Sequence, residues 1–322
     1  MKIKLPKKAK RNVNLADYTY FGLPGKAAYL VETCRPEELT AAIQAARTAK
    51  QKYFIIAGGS NIVTTDKMYD GVVIVYRYPS PCVIPVKTGI QDSPIVIQKN
   101  KLEVWASVQL KDVVKFALEN GLAGLEYLSG IPGALAGAVY GNAGAYGHSI
   151  SEAVEKVRIF DGKKERWLAK KDCSFSYRDS IFKKKNWAIL SVVLKLRPGN
   201  REKLRAQSEK ITTARDEKYS NIKCPGSFFR NVLVKGVSKS ALAKVDKKKI
   251  IDGKIPAGFL LEEVGAKGMR IGGLYIADYH GNLLINDGTA TYKDVQKLVA
   301  ILKEKVKARF GIKLEEEVRY LI

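Results

Sequence analysis

The segment from Gly121 to Gly147 constrains the fold most strongly, because glycine occupies eight of its 27 positions. It reads GLAGLEYLSGIPGALAGAVYGNAGAYG. A glycine inside a helix or strand costs roughly 0.5–1 kcal/mol relative to alanine, so a segment that repeats it needs a compensating use. Three uses are open at this point: tight helix packing, turns with positive φ, and close approach of the backbone to a ligand.

A second glycine turn lies earlier in the chain. A strand predicted over YFIIAGGSNIV runs into Gly58, Gly59, Ser60 and Asn61, and a second strand, GVVIVY, follows. The successive backbone N–H groups of such a turn suit a phosphate. The turn does not read GxGxxG, and an ordinary β-turn would look the same, so both interpretations stay open.

The order of the remaining predicted elements indicates an α+β chain without a regular βαβ repeat. Helices are predicted over RPEELTAAIQAARTAK and LKDVVKFALENG, and short strands over LEVWAS, VEKVRIFDG, RWLAKK and WAILSVVLKL. A long helix begins at the capping pair Thr291 and Asp294 and ends at Gly311. The proline-rich segment from Pro79 to Asn100 predicts an excursion from the surface.

Length and composition narrow the class of protein. The 322 residues are enough for two domains, and no apolar run approaches the roughly 18–20 residues of a membrane span. We therefore expect a cytoplasmic protein without a membrane partner. The cysteines Cys34, Cys82, Cys173 and Cys224 lie far apart with only two histidines in the chain, so we expect reduced thiols and no metal site.

The net charge of +24 leaves two interpretations open. Clustered lysine and arginine bind nucleic acids by neutralising phosphates. Here most of the cations are lysines interspersed with acidic residues, and no nucleic-acid motif accompanies them. A solvated basic surface is the plainer interpretation, and we expect no nucleic-acid partner.

Three side chains stand out as candidates for chemistry. Arg178, among the aromatic residues of FSYRDSIF, could clamp a carboxylate or phosphate, or could simply pair with Asp179. Ser227, in CPGSFFRN, presents a hydroxyl beside an apolar wall, or is an ordinary turn serine. Glu317 lies in LEEEVRYLI, which is predicted to form a strand that either delivers a carboxylate to a site or exposes it to solvent.

Taken in order, these motifs resemble the UDP-N-acetylenolpyruvoylglucosamine reductase (MurB) family of flavoenzymes, in the subgroup that lacks the long tyrosine-bearing loop. The resemblance covers nearly the whole chain, through IAGGSNIVTTD, the glycine-rich segment, FSYRDSIF, GSFFRN, IGGLYIADYHGNLLIN and LEEEVR. Three departures are the VIPVKTGIQ segment, which looks inserted, YTYFGLPGKA in place of the usual NTFRIGG, and Glu316 where proline is frequent.

The resemblance implies an α+β fold with an FAD-binding module of the vanillyl-alcohol-oxidase type, followed by an α/β substrate domain. We expect the module over residues 1–207, in subdomains of about 1–76 and 77–207, and the substrate domain over 208–322. The implied partners are FAD, NADPH and a UDP-sugar, with the chain acting as a monomer. The residues expected to bind FAD are Ala57, Gly58, Gly59, Ser60, Asn61, Ile131, Pro132, Gly133, Ala134, Gly137, Ala138, Asn142, Gly144 and Ala145.

The resemblance also implies roles for individual side chains. Arg178 and Glu317 would stabilise the charge that develops on the substrate, and Ser227 would deliver a proton to it. Tyr177, Arg215, Asn231 and Asn286 match family positions that bind substrate. Three alternatives remain: a flavin oxidase or dehydrogenase of the same fold, a related protein that binds FAD without turnover, and a nucleic-acid-binding protein.

Overall fold

The computed structural model describes residues 9–80, 93–219 and 221–322, which divide into two compact units. Of the described residues, the first unit holds 9–12, 28–58, 70–80 and 93–219. The second unit holds 13–27, 59–69 and 221–322. The chain therefore contributes two short early segments to the unit that is otherwise C-terminal.

Short strands and a few longer helices make up both units. The helices are α1 (Pro36–Thr48), α2 (Leu110–Glu119), α3 (Leu135–Tyr140), α4 (Ile181–Lys184), α5 (Arg201–Tyr219), α6 (Lys239–Leu242), α7 (Ala257–Glu262) and α8 (Tyr292–Phe310). The strands are β1 (Lys10–Asn14), β2 (Lys26–Thr33), β3 (Tyr53–Ile56), β4 (Ile62–Thr64), β5 (Tyr69–Tyr76), β6 (Ile95–Gln98), β7 (Lys101–Trp105), β8 (Leu122–Ala123), β9 (Gly144–Ala145), β10 (His148–Ser149), β11 (Val154–Phe160), β12 (Glu165–Ala169), β13 (Ala188–Lys195), β14 (Arg197–Pro198), β15 (Val232–Leu233), β16 (Lys254–Ile255), β17 (Arg270–Ile271), β18 (Leu274–Ile276), β19 (Leu284–Asn286) and β20 (Arg319–Leu321).

The two largest sheets lie mainly in the first unit, which also holds the two-stranded sheets β9-β10 and β8-β14. One has the strand order β1-β2-β5-β3, with β3 and β5 parallel, and the other is antiparallel with the order β12-β11-β13-β7-β6. The predicted helix α1 is confirmed, and its apolar face of Leu39, Ala42, Ile43 and Ala46 is buried in the core. Burial of that face is the main source of its stability, because a helix of this length is marginal alone.

The second unit is built around α8. The predicted capping pair is confirmed: the Thr291 hydroxyl accepts from the Asp294 N–H at 3.3 Å, and Asp294 accepts from the Thr291 N–H at 2.8 Å. The helix ends at Gly311 with φ +70°, which the missing Cβ makes inexpensive. The helix has an apolar stripe that is buried in the core of this unit; it consists of Val295, Leu298, Val299, Leu302 and Val306.

Two stretches differ from the sequence prediction. The strand predicted over LEEEVRYLI is wrong in length, because β20 covers only Arg319–Leu321, where it pairs in parallel with β4. Helix α5 was not predicted, because only Leu204 and Ile211 of its 19 residues are buried, which leaves little hydrophobic periodicity. Within the proline-rich segment, β6 forms the edge strand of its sheet, while VIPVKTGIQ lies outside the described residues.

The α+β prediction is confirmed by this mixture of helices, parallel pairs and antiparallel sheets. The functional boundary expected near residue 207 stays a prediction. It falls inside α5, whereas the compact units meet in sequence at residues 220 and 221. Among the residues described, no helix is both long and apolar enough to cross a membrane.

Candidate active site

The predicted cofactor turn and the glycine-rich segment touch through their backbones in the first unit. A Cβ on Gly58 would lie 2.1 Å from the Gly133 Cα and 2.5 Å from the Ala134 nitrogen. Gly133 itself has φ +104°, a conformation that side chains disfavour. These glycines therefore bring two loops into direct contact, which is the first answer to why the segment is so rich in glycine.

Other glycines of the segment serve turns. Gly121, after α2, has φ +65°, and Gly124 has φ +120°. In β9, a Cβ on Gly144 would lie 2.3 Å from the His148 carbonyl oxygen. Gly137, on the exposed side of α3, has no such restriction, since its Cβ would meet nothing nearer than the Ala57 Cβ at 4.0 Å. Of these four glycines, Gly137 is the one that could carry a side chain without a clash or an unfavourable φ. Contacts within the protein therefore do not explain why this residue is glycine.

The carbonyl oxygens of Ala57, Gly58 and Gly59 in the AGGSN turn accept hydrogen bonds within the protein. Arg77 donates to the carbonyl oxygens of Ala57 at 3.4 Å and Gly58 at 3.1 Å. In the second unit, the Gly59 carbonyl oxygen accepts from the Tyr20 N–H at 3.0 Å. The polarity that this turn can offer a ligand is therefore that of its N–H groups, which suits an anion such as a diphosphate. In the first unit, the bare, exposed Gly137 suits the flat surface of FAD.

Asn142 connects the glycine-rich segment to the turn that carries Arg178. Its Nδ2 donates to the Ser176 carbonyl oxygen at 2.8 Å, and its Oδ1 accepts from the Ser151 N–H at 3.3 Å. Asn142 is buried and has φ +45°, a region that asparagine tolerates better than most residues. We expected Asn142 to bind FAD; its side chain has a role within the protein.

Arg178 occupies a strained position in a tight turn. Ser176 and Asp179 exchange two backbone hydrogen bonds of 3.1 Å, and Arg178 between them has φ +53°. Its guanidinium donates to the Gly144 carbonyl oxygen at 3.0 Å and lies over the Tyr177 ring at 5.8 Å. Asp179, the next residue, lies 3.8 Å from Lys184. A large side chain where glycine would be easier indicates that the side chain is needed.

Ser227 and Glu317 are brought together within the second unit. The Glu317 N–H donates to the Phe228 carbonyl oxygen at 2.8 Å, and the Arg230 N–H donates to the Glu315 carbonyl oxygen at 2.9 Å. Ser227 pairs on its other side with Leu283. The segment that carries Ser227 is therefore hydrogen-bonded on both sides, and Glu317 lies on the neighbouring segment.

The AGGSN turn also holds the segment that carries Glu317. Asn61 donates from Nδ2 to the Glu317 carbonyl oxygen at 3.1 Å, and the Asn61 carbonyl oxygen accepts from the Arg319 N–H at 3.0 Å. Parallel pairing of β4 with β20 continues from this point. Asn61, predicted as a cofactor residue, thus uses its side chain to fix Glu317.

The four predicted substrate residues lie in different surroundings. Tyr177 stacks beside Arg178, and Arg215 lies over the Tyr219 ring at 5.2 Å, with a buried Nε for which the described residues supply no acceptor. Asn231 accepts from the Ala257 N–H at 3.1 Å through Oδ1. Arg215 therefore has polar capacity left for an anionic ligand.

Asn286 has no such capacity. Its Nδ2 donates to the carbonyl oxygens of Phe21 at 2.9 Å and Gly22 at 3.2 Å, and its Oδ1 accepts from the N–H groups of Gly288 at 2.8 Å and Ala290 at 3.1 Å. An amide has two donor hydrogens and two acceptor lone pairs, so the side chain, which is 3% exposed, is saturated. We infer that Asn286 shapes the unit and does not bond substrate through its side chain.

Sequence reasoning missed Asn282. Its side chain binds both backbone groups of Phe229, two residues after Ser227. Nothing in HGNLLIN distinguishes this asparagine from a turn residue, so the sequence carries no signal for it.

Burial raises the pKa of the Cys224 thiol, which keeps that cysteine neutral. In the described parts of the chain, no cluster of three or more His, Cys, Asp or Glu residues could hold a metal ion.

Comparison with known protein families matches both halves of the chain. Residues 27–166 match the family described as "FAD binding domain", which supports the predicted FAD-binding module. Residues 217–321 match the family described as "UDP-N-acetylenolpyruvoylglucosamine reductase, C-terminal domain". The second match includes Ser227 and Glu317.

Individual relatives span nearly the full length. A protein of Solibacter usitatus named UDP-N-acetylenolpyruvoylglucosamine reductase is 40% identical over 309 residues, 95% of each chain. A Bacillus cereus protein named UDP-N-acetylenolpyruvoylglucosamine reductase 1 is 32% identical over 96% of this chain and 93% of its own. The crystal structure of the MurB enzyme from Thermus caldophilus superposes with a TM-score of 0.73 and 28% identity, covering 97% of this chain and 98% of that one. This chain therefore belongs to the UDP-N-acetylenolpyruvoylglucosamine reductase family.

Proposed function

We propose that this chain reduces the enolpyruvyl group of UDP-N-acetylglucosamine enolpyruvate to give UDP-N-acetylmuramate, a precursor of peptidoglycan, with NADPH as reductant and FAD as cofactor. Membership of the family supports the reaction. The observation that carries the proposal for the chemistry is the backbone ladder that makes Ser227 and Glu317 neighbours.

We propose that the backbone of residues 57–61 and 131–145 holds FAD, with the diphosphate on the N–H groups of the AGGSN turn. Bound FAD would supply the hydride, received from NADPH, for the terminal carbon of the enolpyruvyl group. Gly58 and Gly133 keep the two loops together, and Gly137 leaves its side of α3 bare. These residues bind and orient the cofactor without side-chain chemistry of their own.

The proposed roles of the polar side chains follow from the charge that the reaction creates. When a C–H bond forms at the terminal carbon, the electron pair of the C=C bond moves to the adjacent carbon and into its carboxylate. Arg178 pairs with that carboxylate, and Glu317, in its protonated form, donates a hydrogen bond to it. The Ser227 hydroxyl gives its proton to the adjacent carbon and recovers a proton from solvent. Gly226, with φ +81°, precedes the serine and gives its segment a conformation that other residues avoid.

The first test is the visible spectrum of the anaerobic protein. Flavin bands are expected to bleach on addition of NADPH and to return on addition of the enolpyruvyl sugar. A protein that cannot be loaded with FAD would refute the proposal. Recovery of the bands only after oxygen is admitted would point instead to an oxidase of the same fold.

The second test separates the two halves of the reaction. Ser227→Ala is expected to lose about 10²–10⁴-fold in turnover of the enolpyruvyl sugar, because a general acid contributes about that much. Bleaching by NADPH is expected to be unchanged, since the serine acts on the other substrate. Ser240→Ala, at an exposed serine of the same unit, is the matched control. Equal turnover in both variants would refute the role of Ser227.

We further propose that the chain works in the cytoplasm as a monomer and without an obligate protein partner. The composition supports the location, because no apolar run of the sequence approaches the roughly 18–20 residues of a membrane span. Light scattering of the FAD-loaded protein at micromolar concentration is expected to give the mass of one chain. A dimer that persists on dilution would contradict this.

A further inference from the structure

Glu316, the residue before Glu317, is tied to two other elements of the second unit. Its carboxylate accepts a hydrogen bond from the Lys303 ammonium group on α8 and another from the Tyr320 hydroxyl on β20. The Glu316 side chain is only 17% exposed. A carboxylate this sheltered, with a separate donor on each oxygen, is held much more firmly than a surface ion pair.

Both anchors of Glu316 belong to elements that pack against the core of the second unit. Lys303 follows Leu302, which is fully buried in the core against which α8 packs. Tyr320 belongs to β20, pairs with Val63 of β4, and packs edge-on against the Tyr292 ring at 6.0 Å. Burial first, and then the bond to Glu316, raise the pKa of Tyr320 far above its usual value, so its hydroxyl remains a donor throughout the working pH range.

The backbone of Glu316 faces Phe229 in the ladder that joins the two proposed catalytic residues. The two hydrogen bonds of this antiparallel pair lie on either side of it, from the Glu317 N–H to Phe228 and from the Arg230 N–H to Glu315. In a pair of this type, the N–H group of the facing residue points away from the partner strand. The Glu316 N–H therefore makes no hydrogen bond in this ladder, whereas the Glu316 carboxylate binds Lys303 and Tyr320.

We propose that Glu316 is a positioning residue: by binding Lys303 and Tyr320, its carboxylate fixes the segment that carries Glu317 at its place beside the Ser227 segment. The inference rests on the proposed function of Glu317. It adds three side chains, Glu316, Lys303 and Tyr320, that touch neither substrate nor cofactor but set the geometry of the reaction.

The test uses the FAD-loaded enzyme and the variants Glu316→Ala and Tyr320→Phe. Turnover of the enolpyruvyl sugar is expected to fall by roughly tenfold to a hundredfold, since a displacement of about 1 Å costs that much. The rate of flavin reduction by NADPH is expected to change less than about twofold, because that half-reaction involves neither Glu317 nor Ser227. Unchanged turnover in both variants would overturn the inference.

A double-variant comparison tests whether Lys303 acts through Glu316. We expect Lys303→Met to reduce turnover in the wild-type background but to have no further effect in Glu316→Ala, whose carboxylate is already absent. An equal effect of Lys303→Met in both backgrounds would overturn the inference, because Lys303 would then act independently of Glu316.

Hydrogen exchange at the Glu317 amide gives a reading that does not depend on activity. This N–H donates to Phe228, so its exchange is expected to accelerate in Glu316→Ala. If the wild type reduced no enolpyruvyl sugar, the proposed function would fail while exchange still tested the positioning. Slow exchange in Glu316→Ala would overturn the positioning and leave the proposed function standing.

Discussion

Asn282 forms two hydrogen bonds with the backbone of Phe229. Its Oδ1 accepts from the Phe229 N–H and its Nδ2 donates to the Phe229 carbonyl oxygen, both at 2.8 Å. The Asn282 carbonyl oxygen also accepts from the Phe228 N–H at 3.1 Å. Asn282 is 2% exposed and Phe229 is 1% exposed, so water cannot replace these partners without opening the unit.

We expect Asn282→Ala to destabilise the second unit by about 2–5 kcal/mol, since each unsatisfied buried backbone group costs roughly 1–3 kcal/mol. Urea unfolding followed by fluorescence measures the loss. Asn282→Asp is the matched variant, because its carboxyl group keeps the acceptor but donates to Phe229 only when protonated. Burial raises the pKa of such a carboxyl group, so this stabilisation should be present at low pH and lost as pH rises.

A loss below about 0.5 kcal/mol in Asn282→Ala would contradict the assigned role, because surface substitutions typically fall in that range. A loss in Asn282→Asp that is independent of pH would show that the donor is unimportant. Either result would mean that the backbone ladder, and not the Asn282 side chain, holds the segment that carries Ser227.

Gly58→Ala and Gly137→Ala should separate packing of the cofactor loops from contact with the cofactor. The alanine methyl group at 58 would meet backbone atoms of Gly133 and Ala134, so we expect both lower thermal stability and loss of bound flavin. The methyl group at 137 would meet only ordinary contacts, so stability should hold or rise by up to about 1 kcal/mol in a helix. Flavin absorbance and melting temperature are measured on each variant.

The informative result is that for Gly137→Ala. Flavin loss without loss of stability would support passage of FAD over the exposed side of α3. Full flavin content would exclude a close contact there and limit the proposed cofactor residues to the turns. Stable, flavin-loaded Gly58→Ala would show that the two loops separate without consequence, against the close approach seen in the structure.

Arg178 should be tolerated better as glycine than as alanine. At φ +53°, alanine keeps the backbone strain and glycine removes it, a difference of about 1 kcal/mol. Both variants lose the guanidinium, so both should lose turnover equally, by roughly tenfold or more for one charge-assisted hydrogen bond. Thermal unfolding and steady-state kinetics are measured together. Equal stability of the two variants would mean that the turn relaxes and stores no strain.

The parts of the fold that the sequence predicts well are those whose signal is local. Helix α8 has a capping box, an apolar stripe and a terminal glycine, and all three signals agree with the structure. Helix α5 has none of these and buries only Leu204 and Ile211, so its formation depends on contacts that periodicity does not reveal. Local pattern also failed to predict where the C-terminal strand begins, because the residues before it pair with a distant segment.

The candidate site shows a similar division. The motifs around Ser227 and Glu317 predict two polar side chains, but the ladder that joins them links residues almost ninety positions apart, which no local pattern encodes. Asn286 and Asn61 show the opposite difficulty. Their residue type suits a ligand, yet in the structure their amides serve the protein, a choice that depends on which backbone groups happen to need partners.

Stability should depend on pH through Asp287, which lies at the end of β19. Hydrogen bonds from Thr289, and then from Arg270 at 2.6 Å, lower the pKa of its carboxyl group from 3.8 to about 2. A carboxyl group whose pKa is lower in the folded state stabilises the fold above the unfolded pKa, and loses that effect as pH falls through the folded value. The contribution should therefore be complete above about pH 4 and decline towards pH 2.

The measurement compares melting temperatures of the wild type and Asp287→Asn between pH 7 and pH 3. Asparagine keeps the shape but accepts weaker hydrogen bonds, so the wild type should melt higher at pH 7. The difference should shrink below about pH 4, as the aspartate of the unfolded chain becomes protonated. A difference that is constant with pH would show that shape, and not charge, makes the contribution. Because the carboxylate is at the surface, added salt should reduce the difference at pH 7 as well.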